Sequence, residues 1–155
     1  MPLAPMVFKR LRGLQSIPID HAPEDPSETF KQGALLVFNA TNGQIAEAAA
    51  DPTVVQGVAL VAASGTTGKD VPFIKPVKGA IFEVSIDESG LQGVYAQVQT
   101  DLGKQYGAAK DATTGFWYLD QDETTVKVFE IVSLVSPIGT VVPRVEVEFT
   151  LTAME

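Results

Sequence analysis

From Arg144 to Thr152 apolar and polar side chains alternate without a break. Val145, Val147, Phe149 and Leu151 fall on one side, and Arg144, Glu146, Glu148, Thr150 and Thr152 on the other. A period of two belongs to an extended strand with one face buried and the other wet. Phe82, Val84 and Ile86 alternate in the same way with Ile81, Glu83 and Ser85, and the run from Val94 to Gln99 alternates again. Further strand-length runs cover Phe30–Phe38, Gln44–Ala49, Val54–Ala62, Asp70–Ile74, Phe116–Leu119 and Thr125–Val135. Turn residues separate them: Asn42-Gly43, which suits a tight hairpin, Asp87-Glu-Ser-Gly, and the Pro137 and Gly139 pair. Helical periodicity is nearly absent. Glu47-Ala-Ala-Ala is cut short by Asp51-Pro52, and Thr100–Gly107 is the best place for a short helical turn, capped by Thr100 or Asp101 and ended by Gly107. About eight or nine short strands at roughly 8–12-residue spacing predict an all-β chain, a small β-sandwich or barrel-like body with one or two short helical turns.

Gly115–Gly139 carries the only tryptophan and three consecutive aromatics, Phe116, Trp117 and Tyr118. Large aromatic side chains dominate the energetics of any core that takes them. The other elements are therefore expected to pack around Phe116, Trp117 and Val126–Val135.

The first 28 residues read differently. They hold five of the ten prolines, each of which removes a backbone donor and fixes φ. The reading is an extended N-terminal arm over 1–28 and a β-rich body over 29–155. Residues 1–12 carry Lys9, Arg10 and Arg12 and no acidic residue, while the remainder holds 8 basic and 19 acidic residues. A basic arm on an acidic body is a polarity that needs an explanation. The arm also has apolar anchors in Leu3, Met6, Val7, Phe8, Leu11 and Leu14. Such a segment is suited to adding a strand to a partner's sheet edge, with Phe8, Lys9, Arg10, Leu11, Arg12 and Leu14 as the candidate contact residues.

Composition removes several classes of chemistry. No cysteine means no disulfide, no thiolate nucleophile and no cysteine-held metal. His21 is the only histidine and sits in the proline-rich segment, where it reads as solvated. The net charge of −8 opposes nonspecific binding to a nucleic-acid backbone. No apolar run approaches the roughly 20 residues that span a bilayer, and the N-terminus has its basic residues after the apolar ones, the reverse of a secretory signal. Ala63-Ser-Gly-Thr-Thr-Gly-Lys-Asp imitates a phosphate-binding loop, but Ala63 stands at the first glycine, Asp70 stands at the magnesium-binding hydroxyl, and Val71-Pro72 follows where a helix should begin. The acidic groups Asp87 with Glu88, and Asp120 with Asp122 and Glu123, read as solvated hairpin ends rather than as a carboxylate pair across a cleft. No cofactor, metal site or catalytic residue is expected, and the chain does not read as an enzyme.

Several segments together resemble tailed-bacteriophage head decoration, or capsid cement, proteins. They are Glu28-Thr-Phe-Lys-Gln-Gly-Ala-Leu-Leu-Val, Gly43-Gln-Ile-Ala-Glu-Ala-Ala-Ala-Asp-Pro, Val55-Gln-Gly-Val-Ala-Leu, Asp101-Leu-Gly-Lys-Gln-Tyr-Gly, Gly115-Phe-Trp-Tyr-Leu-Asp and Val132–Gly139. The resemblance covers roughly residues 28–150 and rests on strand and turn signatures. It implies a small, mostly β structural protein of the virion, made in the host cytoplasm and bound to the outer capsid surface after expansion. Its partner would be the major capsid protein, and it would be a homo-oligomer, a trimer ahead of a dimer, with no nucleic acid or membrane partner. Two other structural readings stay open: a carbohydrate-binding β-sandwich using Trp117 and Tyr118, and a tail-tube or head–tail joining protein. An acid-dependent hydrolase is the enzymatic rival.

Overall fold

The computed structural model describes residues 3–13 and 16–154. It is almost entirely β, as the alternation predicts. The strands are β1 (Val7–Leu11), β2 (Ile19–Pro23), β3 (Leu35–Phe38), β4 (Ile45–Glu47), β5 (Gly57–Ala59), β6 (Asp70–Ile74), β7 (Ala80–Asp87), β8 (Gln105–Lys110), β9 (Trp117–Asp120), β10 (Phe129–Leu134) and β11 (Arg144–Phe149). Two single 3-10 turns, Gln99–Asp101 and Thr152–Met154, complete the described elements.

The larger sheet runs β1-β7-β11-β10-β8-β9, and β9 returns to pair with β7. Five strands, β7, β11, β10, β8 and β9, thereby close on themselves. The closing pair is parallel and short, Ile86 against Leu119 and Asp87 against Asp120. β7 is long enough to take two neighbours on one side. Its second half meets β9, and its first half meets β1, with Val7 opposite Glu83 and Leu11 opposite Ala80. The second sheet runs β2-β6-β5-β3-β4. Its ends are tied by a parallel bridge from Glu24, just beyond β2, to Ile45 of β4. Closure of this kind removes exposed strand edges.

One apolar core serves both sheets. It runs from Met6, Phe30, Leu35 and Phe73 through Phe82, Trp117, Leu119 and Phe129 to Val147 and Phe149. In the larger sheet Phe8, Phe82, Phe149 and Phe129 form a chain of ring contacts with centroids 5.6, 5.3 and 5.0 Å apart. The expected packing around Phe116, Trp117 and Val126–Val135 holds for Trp117 and Phe129, which are fully buried. Phe116 lies nearer the surface, with the Lys31 ammonium 5.0 Å from its ring centre.

The division at residue 28 is revised. β1 and β2 are strands of the two sheets, and Met6 and Ala22 belong to the common core. The prolines did not prevent this because they sit where they cost little. Pro18 precedes β2, Pro23 ends it, and β2 lies at the end of its sheet order. β8 over Gln105–Lys110 was not foreseen, because Gly107 reads as a helix terminator. The structure instead uses the glycine for close approach, since a Cβ there would lie 2.7 Å from the Val126 carbonyl oxygen. The run Val94–Gln99, expected as a full strand, forms only a bridge between Ala96 and Val141.

Candidate functional site

The outer face of the larger sheet explains the polarity of the sequence. Register pairs Glu146 of β11 with Glu83 of β7, and Glu148 of β11 with Glu130 of β10. Like charges directly opposite one another weaken a sheet, so this acidic stripe needs counter-charge. β1 supplies it. The β1–β7 register shifts between Phe8 and Arg10, leaving Lys9 as the extra residue of a bulge. Phe8 therefore turns inward against Phe82, while the basic side chains on either side of the bulge reach outward. Lys9 Nζ lies 3.0 Å from Glu83 Oε2. The Arg10 guanidinium binds Glu146 through two parallel hydrogen bonds of 2.8 and 2.7 Å. Arg12 Nη1 lies 2.9 Å from Glu148 Oε1. The hydrogen bond from Arg10 holds the Glu146 carboxyl below its ordinary range, against the opposing effect of burial. Burial pushes Glu83 up, but hydrogen bonds from Lys9 and Arg144 outweigh it and hold the carboxyl low.

Arg144 ties this face together from beneath. Its side chain is only 13% exposed. Nε donates to Glu83 Oε1, Nη1 to Ser85 Oγ and the Ala4 carbonyl, and Nη2 to the Pro5 and Glu83 carbonyls. One guanidinium thus fastens the segment before β1 to β7. Of the candidate contact residues, Phe8, Lys9, Arg10, Leu11 and Arg12 are brought onto one strand and engaged with the chain's own body. Leu14 lies outside the described residues.

The buried carboxylates share a different arrangement, in that each braces a loop. Glu24 accepts hydrogen bonds from Ser64 N, Ser64 Oγ and Gly65 N at 2.7–2.9 Å. Those amides belong to the segment that imitates a phosphate loop, and a glutamate occupies the position an anion would take. Burial pushes Glu24 up, and the Ser64 and Gly65 hydrogen bonds bring it below the ordinary value of 4.5. Asp87 receives the Gly93 amide, Asp120 those of Ser89 and Asp122, and Asp111 the amide and hydroxyl of Thr114. Asp101 receives the Tyr95 hydroxyl and the Val98 amide. Burial, reinforced by Asp101, pushes the Tyr95 hydroxyl far up, so that it stays a donor. Carboxylates saturated by loop amides are held as anions by fixed donors, which is the opposite of a general acid.

Trp117 and Tyr118 are each 1% exposed, so neither offers a ring face for stacking a sugar. The Trp117 indole N–H donates to Glu47 Oε1 at 2.9 Å, and Lys110 Nζ lies 2.6 Å from Glu47 Oε2. This cluster joins β4 of the smaller sheet to β8 and β9 of the larger. The hollow beside it measures about 230 Å³ and is lined by Ala48, Ala50, Asp51, Ala109, Lys110 and Trp117, smaller than the roughly 300–1,000 Å³ of small-molecule sites. His21 is exposed, with Nδ1 2.7 Å from Asp70 Oδ2. Among the described residues no three His, Asp or Glu side chains are grouped to hold a metal ion, and no helix is long and apolar enough to cross a membrane.

No protein-family model, curated protein or solved structure matches the chain. Sequence reasoning identified the basic segment but not its counterpart. The signal was present: Glu146 and Glu148 share the polar face of β11 with Arg144, and Glu83 is the one acid on the polar side of β7. What could not be read without strand order was that these faces adjoin.

Proposed function

We propose that the chain is a structural protein of a tailed-phage particle, binding the outer surface of the capsid and bracing it after expansion. The observation that carries this reading is the use made of the carboxylates. Glu24, Asp87, Asp101, Asp111 and Asp120 each fasten a loop to the β body, which suits a part that bears load and does not suit one that turns over substrate. The sequence resemblance to head decoration proteins supplies the partner, the major capsid protein. The contact is assigned to the N-terminal strand, Phe8–Arg12. β1 pairs with β7 on one side and ends its sheet order on the other, so a capsid strand can add to it by backbone hydrogen bonding. Pelleting of the purified protein with expanded and with unexpanded capsids tests this. Selective binding to the expanded form is expected, and absence from both pellets overturns the reading.

A further inference from the structure

We infer that the pole of the larger sheet formed by residues 91–103 and 131–143 is the surface through which two copies of this chain associate. The two segments lie side by side as an irregular antiparallel ribbon. Gln97 N donates to the Thr140 carbonyl, Gly139 N to the Gln97 carbonyl, and Val142 N to the Tyr95 carbonyl. Alternation along the first segment buries Tyr95 and Gln97 and turns Val94, Ala96 and Val98 outward. Seven of the twelve exposed large apolar side chains among the described residues fall on this pole: Leu91, Val94, Val98, Leu102, Val135, Ile138 and Val141, between 41% and 66% exposed. Asp101 and Tyr95 anchor the first segment from beneath, and the Arg144 carbonyl receives the amides of Val135 and Ser136 in the second. The apolar side chains are therefore displayed on a braced backbone, which lowers the ordering cost of an interface.

Charge identifies the occupant. Charged residues make up 19% of the chain, yet these two segments contain only Asp101, which is buried. A basic partner would be met by acids here, and an anionic membrane by lysines and arginines; neither is present. A second copy carries the same net charge of −8 and is repelled wherever acids face each other. The uncharged pole is where that repulsion is weakest and the apolar gain largest. Depletion of charge at the centre of a contact patch is the compositional mark of interfaces, and a non-directional aliphatic patch can complement itself. An exposed apolar patch of several hundred Å² is itself a mark of association.

The proposal stands apart from the capsid reading and is tested without capsids. Sedimentation equilibrium of the full chain over a rising concentration series is expected to show reversible self-association that survives high salt. Val98→Glu and Ile138→Glu, both at exposed positions, are expected to weaken it at least ~10-fold while leaving the melting temperature unchanged. Leu151→Glu, exposed but outside the pole, is expected to leave association intact. A wild-type chain that stays monomeric, or association untouched by both pole variants, overturns the proposal. Failure to bind capsids by a chain that self-associates counts against the proposed function alone, and a monomer that coats capsids counts against this proposal alone.

Discussion

Arg144 is the side chain whose loss would propagate furthest. Its guanidinium serves Glu83, Ser85 and the carbonyls of Ala4 and Pro5, and its main chain anchors the loop at Val135 and Ser136. Arg144→Leu keeps most of the volume but leaves two carbonyls and a partly buried glutamate short of donors. The expected cost is about 3 kcal/mol, the scale of breaking one side of a buried pair, read from urea denaturation. Arg144→Lys is expected to recover only a small part, because an ammonium cannot present the planar fork that spans Nε, Nη1 and Nη2. Gly33 is a second point where a single atom decides. Its φ is +83°, and a Cβ there would lie 2.5 Å from the Met6 carbonyl oxygen. Gly33→Ala combines left-handed strain with a backbone clash, and should loosen the segment before β1. Faster hydrogen exchange at Val7 and Phe8, with the β10–β11 amides unchanged, is the expected readout.

At the scale of elements, β1 depends on pH and salt more than its neighbours do. Glu83 and Glu146 have folded-state pKa values held below the ordinary 4.5 by their basic partners on β1 and β11. A lowered folded pKa means that the stabilisation is present above the unfolded value and is lost as pH falls through the folded one. Attachment of β1 is therefore expected to be constant from neutrality to about pH 5 and to weaken below about pH 4.5. High salt should also weaken it at neutral pH, because the basic partners are largely exposed. Hydrogen exchange across β1 as a function of pH checks this, and β1 protection unchanged at pH 3.5 would contradict it. Legibility from sequence divided along the same line. β7 and β11 could be read because alternation is a local property that survives any topology. β1 could be read as extended but not as docked, since its counter-charges lie 71 to 139 residues further along the chain at Glu83, Glu146 and Glu148. β8 was hidden because glycine has several uses, and which one applies depends on what stands opposite it.

For the molecule as a whole, the question is whether two sheets make two units. The sequence suggested a boundary at residue 28, but the structure draws residues from both sides of it into one core. The sheets are also joined at a specific point. Trp117 of β9 donates to Glu47 of β4, and Lys110 of β8 closes the same carboxylate from the other side. A shared apolar core means that neither sheet can open without exposing the buried face of the other, and a chain of this size with one core should unfold in a single step. Trp117 is a natural reporter, being the only tryptophan and buried at the junction. Its fluorescence is expected to change at the same denaturant concentration as the far-ultraviolet circular dichroism, with equal calorimetric and van't Hoff enthalpies. If the smaller sheet were an independent domain, the fluorescence transition would separate from the other signal. Glu47→Gln sharpens the test. It keeps an oxygen for the Trp117 N–H but removes the charge facing Lys110, so both probes should shift together to lower denaturant, by about 0.5–1.5 kcal/mol of stability. A shift in the fluorescence alone would show that the junction can open while the sheets stay folded.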